Sequence, residues 1–205
     1  MASPALAGTI TLFNGTDGLF DNSSGFRDFT VTGLEPGYGT GEVLDVDISV
    51  NFAKADGESF APPYPGGTPF YNEIHFRLDK GASQVELIAP NSWGTGSGQF
   101  DGTINFDDLA ATDVNFGPAP VAGTFKPTGA LGPGGGSLAD FNTLLALGTW
   151  RLFVHDTVSS DALRFREATL TITTRDAPVA PEPVTMLLLG SGFVAVAARF
   201  RRRKA

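Results

Sequence analysis

Carboxylates and two imidazoles are the side chains whose chemistry could go beyond packing. Asp101, Asp107, Asp108 and Asp113 lie in one stretch, and Asp156 and Asp161 in another. Calcium selects about six to eight oxygen ligands, and aspartates with loop carbonyls supply them. Asp107 and Asp108 are therefore the calcium candidates. No EF-hand or repeat-type spacing accompanies them, and the alternative is that they hydrogen-bond loop amides or face solvent. No other cofactor is implied. His75 and His155 are the only histidines. His155-Asp156 could orient an imidazole and many serines could supply a hydroxyl, but no motif sets one against the other. Without clustered His or Cys there is no zinc pattern. Gly134-Gly135-Gly136 lacks the Lys-Ser/Thr of a phosphate loop. Tyr64, Phe70, Tyr71 and Trp93 either form a sugar-stacking platform or close the ends of a core. We expect no enzyme.

The elements that must position these groups are strands. Leu44, Val46, Ile48, Val50 and Phe52 alternate with Asp45, Asp47, Ser49 and Asn51, a half-buried strand with an acidic outer face. In the next such segment Ile74, Phe76 and Leu78 point inward and Glu73, His75 and Arg77 outward. Trp150, Leu152 and Val154 alternate with Arg151, Phe153 and His155, and Ala168, Leu170 and Ile172 with Thr169, Thr171 and Thr173. Leu163 and Phe165 are out of phase with Ala168, so a bulge or turn is predicted near Arg166-Glu167. Gly/Pro-rich connections fall at 33–41, 53–69, 91–102 and 129–137, and only 137–147 reads as a helical turn. The pattern predicts an all-β, jelly-roll-like β-sandwich over residues 8–175.

Composition narrows the partners. The 205 residues leave room for one domain of substantial core ahead of a tail. There is no cysteine, so an exported fold must stand without disulfides. The formal charge is -8; setting aside the five basic residues of the C-terminal tail leaves 9 Lys+Arg against 22 Asp+Glu, or -13. Such a surface disfavours nucleic acid. Ala5-Leu6-Ala7 before Gly8 has the small-x-small form of a signal-peptidase site. Residues 1–7 thus read as the remnant of a cleavage region or as a chance match.

The tail is more specific. Residues 176–183 form a Pro-rich linker containing Pro181-Glu182-Pro183. Residues 184–198 are 15 positions without a charge, and Arg199, Arg201, Arg202, Arg203 and Lys204 follow. As a helix the apolar run rises only ~22 Å against ~30 Å of hydrocarbon. It is a short transmembrane helix, marginal as an anchor, whose basic end (199–205) stays cytoplasmic and acts as a membrane stop. The order Pro-Glu-Pro, apolar run, Arg-rich end resembles the PEP-CTERM sorting signal of Gram-negative bacteria. That resemblance implies that exosortase, a membrane protease-transpeptidase, recognises Pro181, Glu182 and Pro183 and removes the tail. It also implies an exported protein, first held in the inner membrane as a precursor and then at the cell surface or outside the cell.

A second resemblance covers residues 28–174. Gln84-Val85-Glu86-Leu87-Ile88-Ala89-Pro90, Thr103-Ile104-Asn105-Phe106-Asp107-Asp108-Leu109-Ala110 and Gly123-Thr124-Phe125-Lys126-Pro127 come in order. Gly148-Thr149-Trp150-Arg151-Leu152 and Val154-His155-Asp156-Thr157 follow them. Together they resemble the P domain of proprotein convertases, the β-sandwich that follows a subtilisin-type protease domain. Gly81-Ala82-Ser83 departs from that family's Gly-Asp-Leu, and the insertion at 56–69 is atypical. The protease triad of those relatives sits in another domain. The expected function is a non-catalytic cell-surface or extracellular-matrix protein in the company of exopolysaccharide. The alternatives are a carbohydrate- or calcium-binding module and an accessory partner of a subtilisin-type protease.

Overall fold

A computed structural model describes residues 7–34, 41–57, 60, 67–94, 98–115, 117–129 and 136–175. The membrane-helix reading of 184–198, the linker, the sorting tripeptide and the basic end all lie outside the described residues. Among those described, no helix is long and apolar enough to cross a membrane.

Among the described residues ten strands run β1 (Ala7–Asn14), β2 (Gly18–Phe20), β3 (Ser23–Val31), β4 (Val43–Lys54), β5 (Ile74–Lys80), β6 (Ser83–Ile88), β7 (Phe100–Phe106), β8 (Gly123–Phe125), β9 (Gly148–Asp156) and β10 (Leu163–Arg175). They form two sheets. One has the order β1-β10-β4-β7-β8, with β2 also on β10; the other is β3-β9-β5-β6. Among these described strands β7 and β8 alone pair in parallel. The fold is all-β, as the alternation predicts.

One core lies between the sheets. Val46, Ile48, Val50, Phe52, Ile104, Phe106, Leu170 and Ile172 face it from the first sheet, and Ile74, Phe76, Leu78, Val85, Trp150, Leu152 and Val154 from the second. Phe52 meets Phe76 edge-on at 5.0 Å between ring centres, across the two sheets. Each such side chain contributes roughly 1.5–3 kcal/mol by leaving water, which lets a cysteine-free domain close.

Two bulges set the phases where β10 pairs with β4. The pairing of β10 with β4 shifts between Phe165 and Glu167, which leaves Arg166 extra and brings Phe165 and Ala168 to the same face, at the predicted place. A second shift lies between Thr173 and Thr174, where the sequence pattern predicts none. It makes Leu44 the extra residue, so Val43 is buried and Leu44 exposed, contrary to the expected inward position. The turn expected in 137–147 is a 3₁₀ turn, Leu138–Phe141, whose Phe141 meets Trp150 edge-on at 5.1 Å.

The registers also decide what meets at one end of the core. Lys54 pairs with Leu163, and Ile74 with Asp156. The last residue of β4, the first of β10, the first of β5 and the last of β9 therefore converge at one pole of the two sheets.

Candidate functional site

At that pole a lysine is sealed inside the protein. The inward phase of β4 runs Val46, Ile48, Val50, Phe52 and on to Lys54; that of β9 runs Trp150, Leu152, Val154 and on to Asp156. Both charged residues are fully buried. Lys54 Nζ donates to Asp156 Oδ2 at 2.8 Å and to Glu73 Oε2 at 2.9 Å, and it also bonds the Asp161 carbonyl oxygen. Glu73, expected to point outward from β5, instead ends a 3₁₀ turn, Tyr71–Glu73, that precedes the strand, and its side chain is only 6% exposed. The turn breaks the strand phase that would have sent it to solvent.

The surroundings hold these groups in place. Asp156 Oδ1 accepts from the Val158 amide at 3.3 Å, and Asp161 Oδ2 from the Phe70 amide at 2.8 Å. The Thr157 amide donates to the Glu73 carbonyl at 3.1 Å. Burial pushes the Asp156 carboxyl up to about 6, against the pull of its hydrogen bond and charge attraction to Lys54; the nearby Glu73 adds to the rise. Ions taken this far from water repay their desolvation only with such geometry, and losing one partner is costly. Of the second acidic stretch noted in the sequence, Asp156 thus meets the Lys54 nitrogen with its carboxylate and Asp161 with its backbone carbonyl.

The calcium candidates lie elsewhere, in the loop after β7. Asp108 receives the amides of Leu138 at 3.1 Å and Ala139 at 2.7 Å through its two oxygens, and so holds the start of the 3₁₀ turn Leu138–Phe141. Asp107 Oδ1 accepts from the Leu109 amide at 2.7 Å. Both therefore do what the amide-bonding alternative describes. Asp101 is paired with Arg166. Among the described residues no three His, Cys, Asp or Glu side chains are grouped to hold a metal ion. A shallow hollow beside Asp107, on the outer face of the first sheet, is lined by Asp47, Ser49, Asn105, Thr169 and Thr171. Asp47 Oδ1 is buried there without a hydrogen bond. Burial first, and then Asp45, Asp107 and Asp108, push the Asp47 carboxyl up to about 6.

The histidines do face outward, on the second sheet. His75 and His155 are directly opposed on β5 and β9, with ring centres 6.0 Å apart. His75 Nε2 lies 2.5 Å from Glu86 Oε2. Desolvation, and then His75, lower the His155 imidazole. Phe153 packs beside both rings and against Phe26, while Arg77 stacks over Phe153 and Arg151 over Phe26. The two guanidinium groups are tied in turn to Asp79 and Asp28.

Of the aromatic platform, Tyr71 and Trp93 are buried, with Tyr71 Oη bonded to the Gly98 carbonyl at 2.7 Å and Trp93 Nε1 to that of Val114 at 3.1 Å. They close the core, as the second of the two readings has it. Phe70 is 45% exposed, and Tyr64 lies outside the described residues. The signal missed in the sequence was the strand phase itself, which extended by one step puts Lys54 and Asp156 inside.

Comparison with known proteins bears on the tail. The family model of the PEP-CTERM protein-sorting motif matches residues 179–203. The chain carries that sorting signal, which implies an exported protein processed by exosortase from a membrane-held precursor in Gram-negative bacteria. No curated protein matches the chain. A solved structure titled "Crystal Structure of FLHE" is similar at 12% identity and a TM-score of 0.37, covering 82% of this chain and 98% of that one. At that level neither fold nor function is transferred.

Proposed function

We propose that this chain is a non-catalytic β-sandwich protein of the cell surface or extracellular matrix, delivered by its sorting signal and released when exosortase removes the tail. The observation that carries the reading is the motif at 179–203, placed after a β domain whose last strand ends at Arg175. The apolar segment 184–198 holds the precursor in the inner membrane, and Arg199, Arg201, Arg202, Arg203 and Lys204 keep its end cytoplasmic. Exosortase then acts near Pro181, Glu182 and Pro183. The matrix the domain joins contains exopolysaccharide.

The finer likeness, to the jelly-roll P domain, belongs to the same reading. In its support, the resembling segments 84–90, 103–110, 148–152 and 154–157 coincide with β6, β7 and β9 and the turns that follow them. The test is the mature C-terminal mass in cells with and without exosortase. We expect a product truncated near residues 181–183 only when the enzyme is present. An identical C-terminal mass in both strains would refute the processing step.

A further inference from the structure

We propose that Lys54 and Asp156 become joined by an intramolecular isopeptide bond, with Glu73 carrying the proton that the condensation must move. Three observations lead there. The nitrogen and the carboxylate are in contact at 2.8 Å and both are fully buried. A second carboxyl, Glu73, touches the same nitrogen at 2.9 Å. The carbonyl of Asp161 also bonds that nitrogen and fixes its place, while the Val158 amide points at the other oxygen of Asp156.

The chemistry balances without any further reactant. Shifting one proton from the ammonium to the Asp156 carboxylate converts the ion pair into an amine and a carboxylic acid, the forms that a dry site favours. The upward push on Asp156 runs in the same direction. The Lys54 nitrogen then attacks Cγ of Asp156, forming the C–N bond. Oδ1, which accepts from the Val158 amide, carries the developing negative charge as an oxyanion does. Glu73 takes a proton from the nitrogen and returns it to the departing hydroxyl on Oδ2. The C–O bond breaks, one water leaves, and an amide remains whose N–H faces Glu73. Nothing is oxidised or reduced. Fixed contact between the reacting groups replaces chemical activation of the acid, because effective concentrations in such a geometry are very high.

The bond would tie the last residue of β4 in one sheet to the last residue of β9 in the other, across 102 positions of chain. A chain without cysteine would gain a cross-link that no reductant opens. This inference is independent of the sorting reading, because it concerns the domain wherever it is made.

The test is mass spectrometry on the full-length chain, denatured and digested with trypsin. If Lys54 is acylated, trypsin cannot cut after it. Peptides 28–77 and 152–164 then travel as one species lighter by one water than their sum. We expect that species in the wild-type protein, and in Glu73→Gln we expect peptides of full mass with ordinary cleavage after Lys54. Free cleavage after Lys54 in the wild-type chain would overturn the proposal, with no variant needed. A cross-linked Glu73→Gln would overturn the role given to Glu73.

Discussion

Replacing Asp108 with alanine separates a structural tie from a metal ligand. Asp108 reaches from the loop after β7 to the amides of Leu138 at 3.1 Å and Ala139 at 2.7 Å. The turn it holds plants Leu138 and Phe141 in the core, both fully buried. Hydrogen bonds to a charged group contribute about 1.5–3 kcal/mol each when removal leaves the donor without a partner. Ala139 keeps the Ser137 hydroxyl at 3.2 Å, so only the Leu138 amide loses its side-chain acceptor. The site is half-buried, and water can replace part of the loss. We therefore expect Asp108→Ala to cost about 2 kcal/mol and Asp108→Asn, which keeps one acceptor, about 1 kcal/mol. For a domain of this size the larger loss lowers Tm by about 4–8 °C. Urea and thermal melts of the purified protein measure both. Saturating EDTA should leave the wild-type Tm unchanged, since these oxygens are occupied by amides. The reasoning fails if Asp108→Ala melts with the wild type, or if EDTA lowers the wild-type Tm and calcium restores it.

Two further substitutions test the electrostatics and the core. Asp47 has a folded-state carboxyl pushed up to about 6 by burial and by its acidic neighbours. The folded form thus holds a proton between about pH 4 and 6 that the unfolded chain releases, and stability falls as pH rises through that window. Asp47→Asn should therefore stabilise by about 1 kcal/mol at pH 7, after discounting for solvent screening, and by almost nothing near pH 4. Urea melts at the two pH values decide it; an equal difference at both would sink the idea. Trp93→Ala should cost about 3–5 kcal/mol because the indole is buried and bonded to the Val114 carbonyl. An unchanged urea midpoint would show instead that the ring is free for a ligand.

The strands were legible because alternation is a local signal. Ile74, Phe76 and Leu78, or Trp150, Leu152 and Val154, show their inward face in six residues or fewer, and one core follows from several such runs. The bulge at Arg166 was legible for the same reason, since a slip in phase appears in the residues themselves. The bulge at Leu44 was not: Leu44 and Val43 are both apolar, so hydrophobicity is silent on which of them the slip turns outward. Only the pairing of β4 with β10 decides. The loop carboxylates show a different limit. Asp107 and Asp108 could be seen as oxygen donors, but their partners include amides some thirty positions away, and no spacing rule reaches that far.

The buried lysine marks the boundary between the two kinds of information. Its presence inside was available locally: continue the phase of β4 past Phe52 and the next inward residue is Lys54; continue that of β9 past Val154 and it is Asp156. A single inward charge at a strand end reads as the place where the strand leaves the core, and on that reading the run stops at Phe52. Two inward charges of opposite sign, each at the end of a strand in a different sheet, offset part of the cost of leaving water if they meet. Whether they meet depends on which strand ends share a pole, and that is fixed by the pairings of Lys54 with Leu163 and of Ile74 with Asp156. Glu73 could not have been added from pattern, because its inward turn comes from a 3₁₀ turn that interrupts the alternation. An inward Lys and an inward Asp in separate strands of an all-β chain therefore form a searchable pair, and the third group must come from the structure.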